Sequence, residues 1–132
     1  MFVYSWVHSD AWRGAAKAGS PFAQLHVAKL LHRHPGHDAA EEAFAFFCMI
    51  PCNSEATEHQ MATAHLYIAI SFLDGSGVNV SDFMADLHLQ KTAALGRLCS
   101  DSSLVSEAES IHATLRLELN SGKRYGSDLC GL

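Results

Sequence analysis

The sequence predicts an all-α protein, a short α-solenoid of stacked antiparallel helical hairpins with about five to six helices. Glycine and proline divide the 132 residues into segments of helical length that are rich in Ala, Leu, Glu, Phe and His. No segment shows the sustained alternation of apolar and polar residues that a half-buried strand needs. One apolar pattern also recurs about forty residues apart, which is typical of stacked helical repeats.

Residues that favour helix starts stand at several of the predicted boundaries. Ser20 followed by Pro21 places a capping side chain and a first-turn proline ahead of "FAQLHVAKLLHRH". Thr57 with Gln60 forms a capping-box pattern, in which the two side chains satisfy N–H groups at the helix start reciprocally. Further caps are expected at Ser81 and at either Asp101 or Ser102.

The chain resembles itself at a constant offset. Residues 23–37 align with residues 64–78 at an offset of 41, so that Ala23 matches Ala64 and Ala28 matches Ala69. A fainter third copy follows at an offset of 44, and residues 11–19 resemble half a copy. Small residues at matching positions let neighbouring helices approach closely, while the larger apolar residues between them fill the space between hairpins. The predicted units of this single domain are an N-terminal half-repeat or cap at 1–19, repeats at 20–60 and 61–97, and a degenerate repeat or cap at 98–132.

Composition excludes several classes of function. The chain has 9 Lys and Arg against 14 Asp and Glu, a net charge of −5, so no basic surface is available to neutralise many phosphates of a nucleic acid. Its longest apolar stretch, at 43–52, is far shorter than a membrane span and contains Pro51. The opening "MFVYSWVHSD" lacks the features of a secretory signal, so we expect a cytoplasmic protein whose cysteines are reduced.

Residues 61–97 resemble the Sel-one-like repeat family, a relative of the tetratricopeptide repeat. The resemblance rests on an AxLxxAxxxLxxGxGV pattern that ends in "LDGSGV" and on the later "TAALG". In residues 20–52, His34 and His37 stand where the family usually has Gly and Val, and "CMIPCN" replaces the small-residue helix end. The resemblance implies a non-catalytic adaptor, regulator or inhibitor that holds a protein or peptide on the concave face of the first helices.

Gly75 and Gly77 follow an apolar run of helical spacing, a pattern that fits either a phosphate-binding loop or a turn between helices. Glycines that cradle a phosphate need a strand before them and, in a P-loop, Lys and Ser or Thr after them. "SGVNV" has neither feature. We therefore expect both glycines to form the turn between paired helices, where a positive φ is cheap for glycine.

The predicted interaction strip lies on the first helix of each hairpin. His26, Lys29 and Arg33 share one helix face, and the offset of 41 makes Tyr67, Ile70 and Asp74 their equivalents. The third copy adds Ile111, Thr114 and Glu118. Tyr67 and Ile70 suit contact with a partner, although a neighbouring helix could equally cover both. A homodimer through an exposed solenoid end, with "MFVYSWV" as an apolar cap or dimer contact, is a further prediction.

The alternative function is metal binding or metal-dependent catalysis by the cluster "HRHPGH", which contains His32, His34 and His37. The competing interpretation is an exposed polar turn between helices. No motif for a nucleophile, nucleotide or metalloprotease occurs, so we expect neither catalysis nor a cofactor. Cys48 and Cys52 lack the CxxC spacing of a redox site and are expected to be buried and inert; Cys99 and Cys130 have no partner motif.

Overall fold

Six α-helices form the structure, a computed structural model that describes residues 2–34 and 36–122, with side chains from residue 10 onward. They are α1 (Phe2–Lys17), α2 (Pro21–His32), α3 (His37–Met49), α4 (Glu58–Asp74), α5 (Asp82–Leu98) and α6 (Ser102–Asn120). These described residues contain no β-strand. The predicted all-α class is therefore confirmed.

Most helix starts are fixed by the predicted caps. The Ser20 hydroxyl accepts the N–H of Ala23, and the Ser81 hydroxyl accepts that of Met84. Thr57 and Gln60 form the full capping box, with distances of 3.1 Å and 2.9 Å. The Asp101 carboxylate accepts two N–H groups at the start of α6. Since each cap satisfies N–H groups that the helix itself cannot, these residues determine where four helices begin.

The helices pack mainly with their neighbours in sequence, as adjacent pairs in a short helical stack. The contact between α4 and α5 is the most extensive, followed by α2 with α3 and α5 with α6. Helix α4 also touches α2 on one side and α6 on the other. The first helices of the pairs, α2, α4 and α6, thus lie side by side in one layer.

Two hydrophobic clusters share α4. The first joins α2 and α3 with Ala16 of α1 and Ile68 of α4, and Phe47 is fully buried in it. The second joins α4, α5 and α6 around Leu66, Leu89 and Leu104. Ala28, Ala62, Ala64 and Ala69 have no exposed surface, which is what close approach of the helices requires. Each large buried side chain stabilises the fold by about 1.5–3 kcal/mol.

The two glycines after α4 form a turn, as predicted. Gly75 caps α4 in the left-handed conformation, with φ of 73°, and its N–H bonds the Ser71 carbonyl at 2.8 Å. Gly77 also has positive φ, 75°, and lies directly against the backbone of Ala40 in α3. A Cβ at residue 77 would stand 2.5 Å from the Ala40 carbonyl carbon and 2.8 Å from the Glu41 nitrogen. Only glycine fits here, because both the dihedral angle and the close approach exclude a side chain.

Candidate functional site: a groove across α2, α4 and α6

The first helices of the pairs enclose a groove of about 280 Å³, which we call the A-layer groove. Helix α2 supplies one wall and the beginning of α6 supplies the other, while α4 forms the floor. Its lining residues are Lys29 from α2, His59, Thr63, Leu66, Tyr67 and Ile70 from α4, and Asp101, Ser103, Leu104 and Glu107 from the α6 end.

Tyr67 is the central aromatic residue of the floor, and the core holds its ring in place. The ring stacks on Phe47 at 4.7 Å between centroids, with an interplanar angle of 8°. The edge of His32 meets it at 5.2 Å. Ile70 and Leu104 belong to the second cluster. Because Tyr67 and Ile70 are half-buried, each contributes both to the core and to the groove.

The two walls carry opposite charges. Lys29 places its ammonium 6.0 Å from the Tyr67 ring centroid, within the range of a cation–π contact. Glu107 is exposed on the opposite wall. Among residues 10–34 and 36–122, neither Lys29 nor Glu107 forms an ion pair. The groove therefore has an apolar floor between one basic and one acidic wall.

A contact between His59 and Asp101 lies at one end of the groove. The Nε2 of His59, at the start of α4, lies 3.0 Å from Oδ2 of Asp101, the cap of α6. The hydroxyl of Ser103 donates to Oδ1 of Asp101 at 2.8 Å and, together with the N–H of Leu104, lowers the pKa of that carboxyl; His59 lowers it further. Asp101 is consequently ionised and already satisfied, and it ties the starts of the two helices together.

The same three side chains are arranged differently from a serine nucleophile and its base. In a catalytic triad, the imidazole lies between the hydroxyl and the carboxylate and removes the hydroxyl proton. Here the carboxylate of Asp101 lies between Ser103 and His59. The Ser103 proton is donated to Asp101, so this arrangement does not activate Ser103 for attack.

The structure brings together three residues of the predicted strip, namely Lys29, Tyr67 and Ile70. His26 instead packs on Trp12 at 4.2 Å between ring centroids, away from the groove lining. The others also lie outside the lining: exposed Arg33, Asp74 and Thr114, half-buried Glu118, and Ile111, which packs on the second cluster.

Sequence reasoning missed most of the groove's remaining residues. It placed α6 by the offset of 44, which aligned Ile111 and Thr114 with the strip. The packed α6 instead presents its first two turns to the groove, through Ser103, Leu104 and Glu107. The predicted cap at Asp101 was the one available signal, because a cap fixes which residues form the first turn.

The three histidines of "HRHPGH" do not all converge in the structure, since His34 and His37 line one cavity and His32 is not part of its lining. His32 packs against the rings of Phe47 and Tyr67. His37 is exposed and lies 3.4 Å from Glu41 of its own helix. Within the described part of the chain, no group of three or more His, Cys, Asp or Glu side chains could hold a metal ion. The geometry thus gives the metal alternative no support.

The expectation of buried cysteines is wrong for Cys48 and Cys52, since both are exposed. The buried face of α3 carries Ala43, Phe46 and Phe47, and Cys48 follows on the outer side. Although Cys48 is exposed, nearby protein atoms partly desolvate its thiol and raise the pKa, and the neighbouring Cys52 raises it further. Cys99 is half-buried, and these three thiols are free, as predicted; Cys130 lies outside the described residues.

A pair of histidines between α4 and α5 was also missed. The Nδ1 atoms of His65 and His88 are 2.9 Å apart, and the Phe72 ring stacks on His88 at 5.8 Å. One ring donates this hydrogen bond and the other accepts it, so the accepting nitrogen carries no proton. Burial, with smaller contributions from the neighbouring His88 and Lys91, lowers the pKa of His65 to about 4.

Comparison with protein-family models, curated proteins and solved structures finds no match. What the molecule itself defines is an all-helical protein of six packed helices in its described residues. None of the helices in the described ranges is both long enough and apolar enough to cross a membrane.

Proposed function

We propose that the protein is a non-catalytic binding module whose A-layer groove holds a segment of a protein partner. The observation that carries the proposal is the groove itself, with an apolar floor at Tyr67 and Ile70 and, on each wall, one charge that forms no ion pair among the described residues. An apolar floor rewards the burial of a side chain, and charged walls orient it.

The open shape of the groove favours a side chain of a larger partner over an enclosed small molecule. Small-molecule sites usually measure roughly 300–1,000 Å³ and enclose most of the ligand. The A-layer groove measures about 280 Å³ and is open to solvent. It can accommodate one large anchoring side chain of a partner while the rest of the segment crosses the surface.

The resemblance to Sel-one-like repeats gives the proposal its class, that of an adaptor, regulator or inhibitor. Two features support the class: the pairing of α4 with α5, and the glycine turn between them. Self-association through one end of the stack remains a prediction. The predicted apolar cap or dimer contact "MFVYSWV" lies outside the side chains that the structure describes.

The test is site-specific photocrosslinking in an extract of the native cells. A photoreactive amino acid replaces Ser103 in the groove or, as the control, Ala113, which is exposed on the same helix but outside the groove. A discrete protein adduct from position 103 and none from position 113 is the expected result. No adduct from position 103, or identical adducts from both positions, would contradict the proposal.

A further inference from the structure

We propose that the segment bound by the A-layer groove combines three features: a carboxylate that pairs with Lys29, a cationic side chain that pairs with Glu107, and an apolar side chain between them. This inference rests on the proposed function and adds the chemistry of the partner.

On the α2 wall, Lys29 needs a partner of negative charge. Its ammonium rests near the Tyr67 ring and forms no ion pair within the described chain. A segment seated on Tyr67 removes water from this ammonium, and a desolvated charge without a counter-ion is costly. A carboxylate on the segment removes that cost. Arg33, the exposed residue that caps the C-terminus of α2, adds to the positive potential on this side.

On the α6 wall, Glu107 is the carboxylate that remains available. Asp101 already pairs with His59 and accepts the Ser103 hydroxyl, so its hydrogen-bonding capacity is used inside the protein. Glu107 is exposed and forms no ion pair among the described residues. A cationic side chain on the segment therefore finds its counter-charge at Glu107.

The floor between the walls takes the apolar side chain. Leu66, Tyr67 and Ile70 of α4 present carbon surface, and the core holds Tyr67 rigidly against Phe47. A rigid aromatic surface binds without losing conformational entropy. An acidic-only segment would meet repulsion at Glu107, and a basic-only segment would meet it at Lys29, so mixed charge is what both walls together select.

The experiment uses a phage-displayed library of random peptides as the probe, selected on three immobilised proteins. The first is the wild type, and the second is the charge-swapped variant Lys29→Glu with Glu107→Lys. The third is a matched control, Glu55→Lys with Arg116→Glu, which exchanges two exposed charges outside the groove. All three have the same net charge, and circular dichroism checks that each is folded.

The wild type and the control should enrich peptides in which an apolar residue separates an acidic residue from a basic one. The swapped variant should bind these peptides roughly tenfold more weakly. The peptides that it enriches itself should carry their acidic and basic residues in the opposite order along the bound segment. The single variant Glu107→Lys changes an exposed residue with no described ion pair, so it serves as a second test should Lys29→Glu disturb Tyr67.

Other results overturn the inference in distinguishable ways. In one such result, the selected peptides have no charge pattern and bind the charge-swapped variant as well as the wild type, but lose binding when Ser103→Trp blocks the groove. This result would refute the charge assignment and leave the proposed function standing. Selection of a pattern with one sign of charge only would refute the mixed-charge partner. Peptides that bind all variants equally, Ser103→Trp included, would refute both the inference and the groove as the binding site.

Discussion

Replacing Gly77 by Ala tests the packing between successive helix pairs, because Gly77 is where the turn after α4 touches α3. Two costs add in this variant. An alanine in the left-handed conformation costs about 1–2 kcal/mol, and φ at Gly77 is 75°. The new Cβ would also overlap the backbone of Ala40, which cannot rotate away as a side chain could; overpacking of this kind costs about 1–3 kcal/mol.

Gly75→Ala is the matched control in the same turn. Gly75 has nearly the same φ, 73°, but its added Cβ would meet the Cγ2 of Val80 at 3.0 Å. Val80 is 54% exposed and can move aside. Both variants reduce the entropy of the unfolded chain equally, by about 0.4–1 kcal/mol, so that term cancels in the comparison. Gly77→Ala should therefore be less stable than Gly75→Ala by about 1–3 kcal/mol.

Urea unfolding followed by circular dichroism measures both variants against the wild type, with the free energy of unfolding taken from the midpoint and slope. A difference of this size is large against a typical total stability of about 5–15 kcal/mol. If the two variants lose the same free energy of unfolding, the close approach of Gly77 to α3 is refuted. Only the cost of the left-handed dihedral angles, which both variants share, would then remain.

Three further predictions concern the interior and the surface. The pKa of His65, about 4 in the folded chain, lies below its unfolded value of about 6.5, so stability is complete above about pH 6.5 and falls on acidification; about 2 kcal/mol should be lost by about pH 5. The lowered pKa of His88 acts in the same direction. The free energy of unfolding, measured between about pH 6.5 and pH 5, should therefore fall more steeply in the wild type than in His65→Gln. An identical dependence on pH in the two proteins would contradict the buried pair. Thr57→Ala should cost about 1 kcal/mol in urea unfolding because it removes the capping box of α4, and an unchanged midpoint would count against that cap. Cys48 and Cys52 are exposed in the native state, so a maleimide should label both without denaturant, detected by mass spectrometry of tryptic peptides; protection of either thiol would restore the original expectation of burial.

Local features of the fold follow from the sequence because they depend on residues only a few positions apart. A capping box needs only Thr57 and Gln60, and it formed as predicted. The left-handed turn at Gly75 depends on the residue type at that position, and it also formed. The buried alanines follow from helical periodicity, since a small residue on the apolar face has a neighbouring helix to meet.

The groove depends on how the helices are positioned against each other, and only the tertiary structure decided that. The repeat offset predicted Ile111 and Thr114 in the interaction strip with Tyr67 and Ile70, but the groove is lined by Leu104 and Glu107 of α6 instead. The His59 to Asp101 pair and the His65 to His88 pair join residues on different helices. Sequence periodicity indicates which face of a helix is apolar. How far each helix is shifted along its axis and rotated about it, relative to its neighbours, results from side-chain packing across the whole core.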